Sequence, residues 1–367
     1  MELGNKNSLT VSETTYILVG TMVGVGILGL PGVLAQKVYQ DAWIAAGLGA
    51  FLPLYYAVLG YYLCKWQGDK DVLVLCTNYF GPIFGGLLNL GFLGFFMLNL
   101  IAVLSGFSNL FRLYATPFLP SIKVILLTCT ISAYTATRGL KTLGKINQIA
   151  FFLSILMFVL CLEAFRKGSY YNVMPIMQAP IIEIVKSTKD SLFSYCGMEL
   201  FFILYPFMES RKNVGSVLIK AIAITFGLYT IVTFLTIYYM GSETAIKSSW
   251  PVVSVFESIQ IPIINSFRFI FTMLWVTIAL KSISNYHFAS LFTLSNIIGK
   301  NKVNTINIAV YSLSVILAMQ LTNETVRRAF LDKIMPIYTL CICLYFTIIF
   351  IFSWFKRGEG VAKASKK

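Results

Sequence analysis

Two ionisable side chains stand where apolar sequence should continue. Glu199 lies in the run Ser191-Leu192-Phe193-Ser194-Tyr195-Cys196-Gly197-Met198-Glu199-Leu200-Phe201-Phe202, whose polar stretch Ser194 to Glu199 interrupts an apolar segment at its centre. Lys281 lies near the middle of a second apolar segment, on one helical face with Thr277, Ser284 and Phe288. Ionisable groups at such positions are costly, so they are functional candidates by default. A carboxyl there can carry a proton, and an ammonium can hold freed carbonyl groups. The plainer readings are a protonated packing residue for Glu199 and a structural ion pair for Lys281. Glu199, backbone carbonyls and water are all open as partners of Lys281. Arg268, nearer the end of that segment, can snorkel. His287, the one histidine, is a weaker candidate for proton handling.

A second irregularity precedes these. Gly20-Thr21-Met22-Val23-Gly24-Val25-Gly26-Ile27-Leu28-Gly29-Leu30-Pro31-Gly32 places five glycines and a proline in the first apolar segment. Glycine lowers the cost of leaving helical geometry and proline removes a hydrogen bond. Unwound backbone at membrane depth is tolerated only where it lines a protein cavity. Close helix packing through Gly20 and Gly24 is the competing reading. The concentration of breakers favours an interruption near Gly24-Val25-Gly26. Exposed amides at one half-helix end can hold a carboxylate, and carbonyls at the other an amine or a cation, which suits a zwitterion such as an amino acid. The expected ligand-binding set is therefore Thr21, Gly24, Val25, Gly26 and Ile27 with Ser194, Tyr195, Gly197 and Glu199, joined by Asn99 and Thr277. Glu199, Lys281 and Ser284 form the expected ion or proton site. Tyr195 either caps a ligand or fills the space. Asn99 and Ser105 serve equally well as polar links between helices.

The elements that position these residues are membrane spans. Of 367 residues, 57% are hydrophobic and 12% charged, too little charge to cover a soluble protein of this length. The length fits about ten spans of ~20 residues. Apolar length and loop punctuation place them near 14–35, 42–64, 83–110, 121–136, 147–165, 184–208, 216–240, 264–297, 304–320 and 335–354. Residues 69–80 are too short and mixed to span and read as an interfacial helix or a loop, and 166–180 and 243–261 read as loops. The whole chain, 1–367, reads as one all-α integral membrane domain. The interrupted spans, first and sixth, open two five-helix halves, 14–165 and 184–354, which is the pattern of a transporter-type binding site. Residues 355–367 form a basic tail. Fifteen Lys and Arg fall on one side and nine on the other, which favours both termini in the cytoplasm. Glu2, Lys6 and Glu13 ahead of a run long enough to span argue against a cleaved leader.

The net charge of +14 follows from that loop bias, and no basic run with aromatics suggests nucleic acid. The seven cysteines match no disulfide or metal spacing. With one histidine, no nucleophile–His–Asp set, no P-loop and no dinucleotide fingerprint, the chain reads as a non-enzyme without metal or cofactor.

Val11-Ser12 through Gly20-Thr21, Gly24, Gly26-Ile27-Leu28 and Leu30-Pro31, followed by Asp41-Ala42-Trp43-Ile44, resembles the opening of the spore germination B-subunit family. Met174-Pro175, Gly197 with Glu199, and Trp250-Pro251 add to it. That family is similar to amino acid–polyamine–organocation transporters. The resemblance implies a five-plus-five inverted repeat of the LeuT type, with a ligand between spans 1, 3, 6 and 8. It also implies the spore inner membrane, an A subunit and a C-subunit lipoprotein as partners, and a small nutrient germinant, commonly an amino acid. No full sodium site is evident, and Lys281 occupies a position where its ammonium can replace a cation between spans 1 and 8. A ligand-sensing subunit, a proton-coupled amino acid transporter and a structural or pore-forming subunit are the functions to separate.

Overall fold

The computed structural model describes residues 8–257 and 267–364. The chain is helical almost throughout. The first half holds α1 Val11–Met22, α2 Gly26–Val38, α3 Ala42–Leu48, α4 Phe51–Gln67, α5 Val72–Tyr114, α6 Ser121–Thr137, α7 Leu140–Leu160 and the short α8 Ala164–Lys167. The second holds α9 Ile181–Ser187, α10 Leu192–Tyr195, α11 Phe201–Leu204, α12 Val214–Lys247, α13 Pro251–Glu257, α14 Phe267–Ile298, α15 Val303–Gln320 and α16 Glu324–Ala364. Among the described residues, seven helical stretches are long and apolar enough to cross a bilayer, and Ser121–Thr137 and Met198–Phe207 are shorter apolar helices. The protein is a multi-pass membrane protein.

Its burial pattern fits lipid as the outer solvent. Phe51, Ile83, Leu127, Ile149 and Ile219 stand exposed, while Lys281, Glu199, Asn147, Asn285 and His287 are buried. A water-soluble domain would reverse that arrangement. Helix α14 runs along α5 and also packs on α6, α7 and α1, while α2 lies against α12 and α3. The centre of the bundle is therefore made by α1, α2, α5, α14 and the segment from α10 to α11.

Several expectations shift. Residues 72–80 are helical and turn at Gly81 (φ 78°) into the spanning part of α5, so the short segment before span 3 is a helix. The stretch read as a loop at 243–261 contains the end of α12 beyond the turn at Gly241 (φ 74°) and then α13. The last span was expected from 335. Instead α16 begins at Glu324, and its backbone stays helical through Ala364 into the basic tail. Arg268 has a side chain outside the described residues.

Asp41, part of the Asp-Ala-Trp-Ile signature, is buried and accepts from the amides of Met177 (2.7 Å) and Ala179 (2.9 Å). It thereby fixes the loop that leads into α9 to the turn between α2 and α3. At the opposite end of α1, Leu9 pairs with Met208 in a single parallel bridge, its amide 2.8 Å from the Phe207 carbonyl. Thr10 and Glu13 form a capping box, and Glu13 also takes Lys141 at 2.8 Å. The two interrupted segments are thus tied together at one end through Leu9 and clamped near the other by Asp41.

Candidate functional site

Helix α1 ends where Val23 takes ψ 86°, and α2 resumes after Val25 with no side-chain cap on its first turn. The amide of Gly24 turns to the Met22 carbonyl (2.9 Å) instead of continuing the helix. Carbonyls at the end of α1 are thereby released, as at any helix C-terminus, and buried carbonyls need partners. Helix α14 supplies them. Lys281 Nζ lies 2.9 Å from the Gly20 oxygen and 2.8 Å from the Val23 oxygen. Ser282 Oγ reaches the same two oxygens at 2.7 and 3.2 Å. One turn away, Asn285 Nδ2 donates to Thr21 Oγ1 at 2.9 Å, and Asn285 and Asn147 exchange amide hydrogen bonds at 2.8 and 2.9 Å.

The second interruption is made by Cys196 (ψ 141°) and Gly197 (φ 136°). Gly197 is required twice, by its left-handed φ and because a Cβ there would stand 2.7 Å from the Met22 amide nitrogen. The two interruptions therefore touch. Tyr229 from α12 bridges them, its hydroxyl 2.8 Å from the Met22 oxygen and 2.7 Å from the Ser194 oxygen. Tyr286 donates to the Cys196 carbonyl at 3.0 Å. Glu199 folds back on its own segment, Oε2 accepting from the Gly197 amide at 2.6 Å, while Oε1 is buried without a hydrogen-bond partner among the described residues.

This geometry resolves the partners of Lys281: it meets backbone carbonyls, and among the described residues it forms no ion pair with Glu199. Ser284 was expected at the ion or proton site, but Ser282 holds the carbonyls of α1. Thr277 is only half-buried and donates to neither interruption. Asn99 is tied to its own helix through the Phe95 carbonyl (2.9 Å), leaving Oδ1 without a partner, and Ser105 bonds back to Ile101. Tyr195 is buried, its ring against that of Tyr229 and its hydroxyl donating to the Ala46 carbonyl at 2.6 Å. His287 lies apart, Nε2 at 2.8 Å from Asn307 Oδ1. Gly26 packs on Ser194 and Gly197 on Thr21 and Met22, Glu199 is bonded to the Gly197 amide, and Val25, Gly26 and Ser194 share a cavity wall.

Sequence reasoning missed Ser282, Asn285, Asn147, Tyr229 and Tyr286. Each is a polar or phenolic residue in a mainly apolar helix, which ordinary packing explains equally well. It also missed a cavity of about 70 Å³ beside the first interruption, lined by Val25, Gly26, Ser194, Phe193, Trp250 and Arg327 among others. At a liquid volume of about 30 Å³ per water, that space holds roughly two waters.

Solved transporters share this architecture. MhsT in complex with L-phenylalanine is similar with a TM-score of 0.69 at 14% identity, over 94% of this chain and 89% of that one. The nucleobase-cation-symport-1 family transporter Mhp1 is similar with a TM-score of 0.57 at 14% identity, over 89% of this chain and 75% of that one. At that identity the likeness establishes the fold, which is that of these LeuT-type transporters. Sequence relatives narrow it further. GerQB of Bacillus cereus, a spore germination protein, is 24% identical over 73% of this chain and 74% of its own length. The Bacillus subtilis spore germination proteins YndE and KB are 22% and 21% identical, over 74% and 70% of this chain and 76% and 69% of their own lengths. The model of the family described as "spore germination protein" matches residues 8–327, a stretch that includes both interruptions and the lysine between α1 and α14. On that extent of match the chain belongs to the spore germination protein family, as a non-enzymatic membrane protein built on a transporter fold.

Proposed function

We propose that this chain is the ligand-sensing membrane subunit of a nutrient-germinant receptor and binds a small germinant, an amino acid in the first instance, at the paired interruptions. The observation that carries this reading is the ammonium of Lys281 seated on the Gly20 and Val23 carbonyls. Carbonyls freed at a broken span are groups with which a transporter can hold a coupling cation. Here a covalently attached cation already occupies them, so the site has no need of a dissociable ion to be complete. The ligand's carboxylate would meet the uncapped first turn of α2, whose amides and dipole favour an anion. Its amine would meet oxygens of the second interruption. The receptor would lie in the spore inner membrane with both termini cytoplasmic, as the Lys and Arg bias of the loops favours, and assemble with an A subunit and a C-subunit lipoprotein. Binding would favour one arrangement of the α1–α2 and α10–α11 segments over another and so pass the signal on.

One observation favours a second reading, proton-coupled amino acid transport: Glu199 Oε1 is buried with no partner and can carry a proton. Sealed vesicles holding the purified protein and a panel of radiolabelled L-amino acids separate the two, with Glu199→Gln in parallel. Saturable binding without accumulation supports the sensor. Accumulation driven by a proton gradient and lost in the variant makes the protein a transporter. No binding of any amino acid sinks both.

A further inference from the structure

The cavity beside α2 runs from Gly26 to a pair of arginines at the start of α16. Arg327 is almost fully buried, its side chain 4% exposed. Its Nε donates to the Ala102 carbonyl of α5 at 3.1 Å, and its guanidinium fits against Gly106, where a Cβ would stand 2.4 Å from Nη2. The rings of Phe193 and Trp250 flank it at 5.6 and 5.8 Å. One oxygen of Glu324 serves two guanidinium groups, Arg327 Nη1 at 2.9 Å and Arg328 Nε at 2.7 Å, and the other oxygen takes Asn109 at 3.1 Å. Of the other acids on the cavity wall, Asp190 pairs with Lys37, and Asp332 is exposed. Two buried or half-buried guanidinium groups thus share the Glu324 carboxylate as their hydrogen-bonded partner; with Asp332 acting on both over a longer distance, Lys37, Lys189, Arg327 and Arg328 still outnumber Asp190, Glu324 and Asp332 by one around this aromatic-walled space. A planar guanidinium fork in such a setting matches a carboxylate.

We propose that Arg327 is the carboxylate-recognising residue of this cavity, and that Glu324 is the internal carboxylate a ligand's own carboxylate exchanges with. This rests on the reading of the protein as a small-molecule sensor and adds the chemical class of its ligand: a small organic carboxylate, received here before it reaches the α2 terminus. Trp250 forms the partition. It also lines an open groove on the far side, with Asn109, Arg112 and Glu324, so the ring separates that groove from the cavity. A mainly structural Arg327 would lock α16 to α5 and leave carboxylate affinity to other groups.

Full-length protein in lipid nanodiscs, titrated with sodium propionate and with sodium chloride while its thermal midpoint is followed, tests the assignment. Propionate should raise the midpoint of the wild type and chloride should not. Glu324→Gln, which removes the competing carboxylate, should respond at a lower propionate concentration. Arg327→Gln should weaken the response roughly ten- to hundredfold, the loss of a hydrogen bond to a charged partner, and Arg327→Lys should keep part of it. Where Arg327→Gln fails to fold, Glu324→Gln decides alone: a propionate response no stronger than in wild type overturns the assignment. An undiminished response in Arg327→Gln, or none in the wild type, does the same. Propionate binding without binding of any amino acid would sink the amino acid sensor and keep the carboxylate site. Amino acid binding unaffected by Arg327→Gln would sink only the site.

Discussion

Replacing Lys281 by methionine separates an ammonium that orders the first interruption from one that merely fills it. Methionine keeps the unbranched stem and loses the charge. Two hydrogen bonds to a charged donor disappear, worth about 1.5–3 kcal/mol each in isolation. Against this, the wild-type ammonium carries a desolvation penalty of several kcal/mol that methionine does not. Ser282, with its single hydroxyl hydrogen, still satisfies one of the two carbonyls, Gly20 at 2.7 Å or Val23 at 3.2 Å. Global stability should therefore change by no more than ~2 kcal/mol, because large gains and losses of similar size cancel. Binding should suffer far more. Val23 and Gly24, two of the three residues between the end of α1 and the start of α2, lose the charge that orders them. A ligand must then order them itself, at about 1–2 kcal/mol per residue, or roughly thirty- to several-hundred-fold in Kd. Equilibrium binding of a labelled amino acid in nanodiscs, with a thermal melt on the same samples, reads both quantities. The variant should also become sensitive to sodium, because the Gly20 and Val23 oxygens with Ser282 Oγ offer a small cation three oxygens. Wild-type affinity in Lys281→Met, with no dependence on sodium, would refute the role assigned to this lysine.

Three further outcomes follow from named contacts. Gly197→Ala should cost about 1–3 kcal/mol through its positive φ alone, and more from the clash with Met22, so both the thermal midpoint and ligand binding should drop. Tyr229→Phe strips the bridge between the Met22 and Ser194 carbonyls and should destabilise by about 1–3 kcal/mol. A change in affinity should accompany it, since the phenol touches both interruptions. Asp41→Asn keeps one side-chain oxygen for two amides, Met177 and Ala179. One amide is left unpaired, and hydrogen exchange over 174–180 should quicken while the centre of the bundle stays protected.

The interruptions were legible in the sequence because their causes are local. Glycine and proline concentrated in one apolar run, and a polar stretch centred in another, each depart from what lipid tolerates in a helix. Their contact through Met22 and Gly197 depends on the crossing of two segments distant in sequence, and no local pattern states it. The same limit explains the choice of Ser284 over Ser282. A helical face read at ideal spacing groups Lys281 with Ser284, but Ser282, next to Lys281, bonds the same two carbonyls of α1. Asp41 was legible as part of a signature, while its role as a clamp on the 177–179 amides was not. The early start of α16 was hidden because Glu324, Arg327 and Arg328 look like a loop when charges are counted singly. In the fold they satisfy one another.

A transporter fold that carries its own cation has a restricted set of ways to respond to a ligand. In a cycle coupled to a dissociable ion, arrival and departure of that ion help to move the bundle between its arrangements. Lys281 cannot depart, so any bias on the α1–α2 junction must come from the ligand or from a proton. A ligand shifts such an equilibrium only by contacts it makes in one arrangement and lacks in the other. The groups positioned for that difference are the uncapped turn of α2, the partnerless oxygen of Glu199 and the guanidinium of Arg327. Each lies on a different element, α2, the α10–α11 segment and α16. A ligand small enough for the cavity can engage all three only if those elements close around it. On the sensor reading proposed above, that requirement would turn binding into movement without a coupling ion.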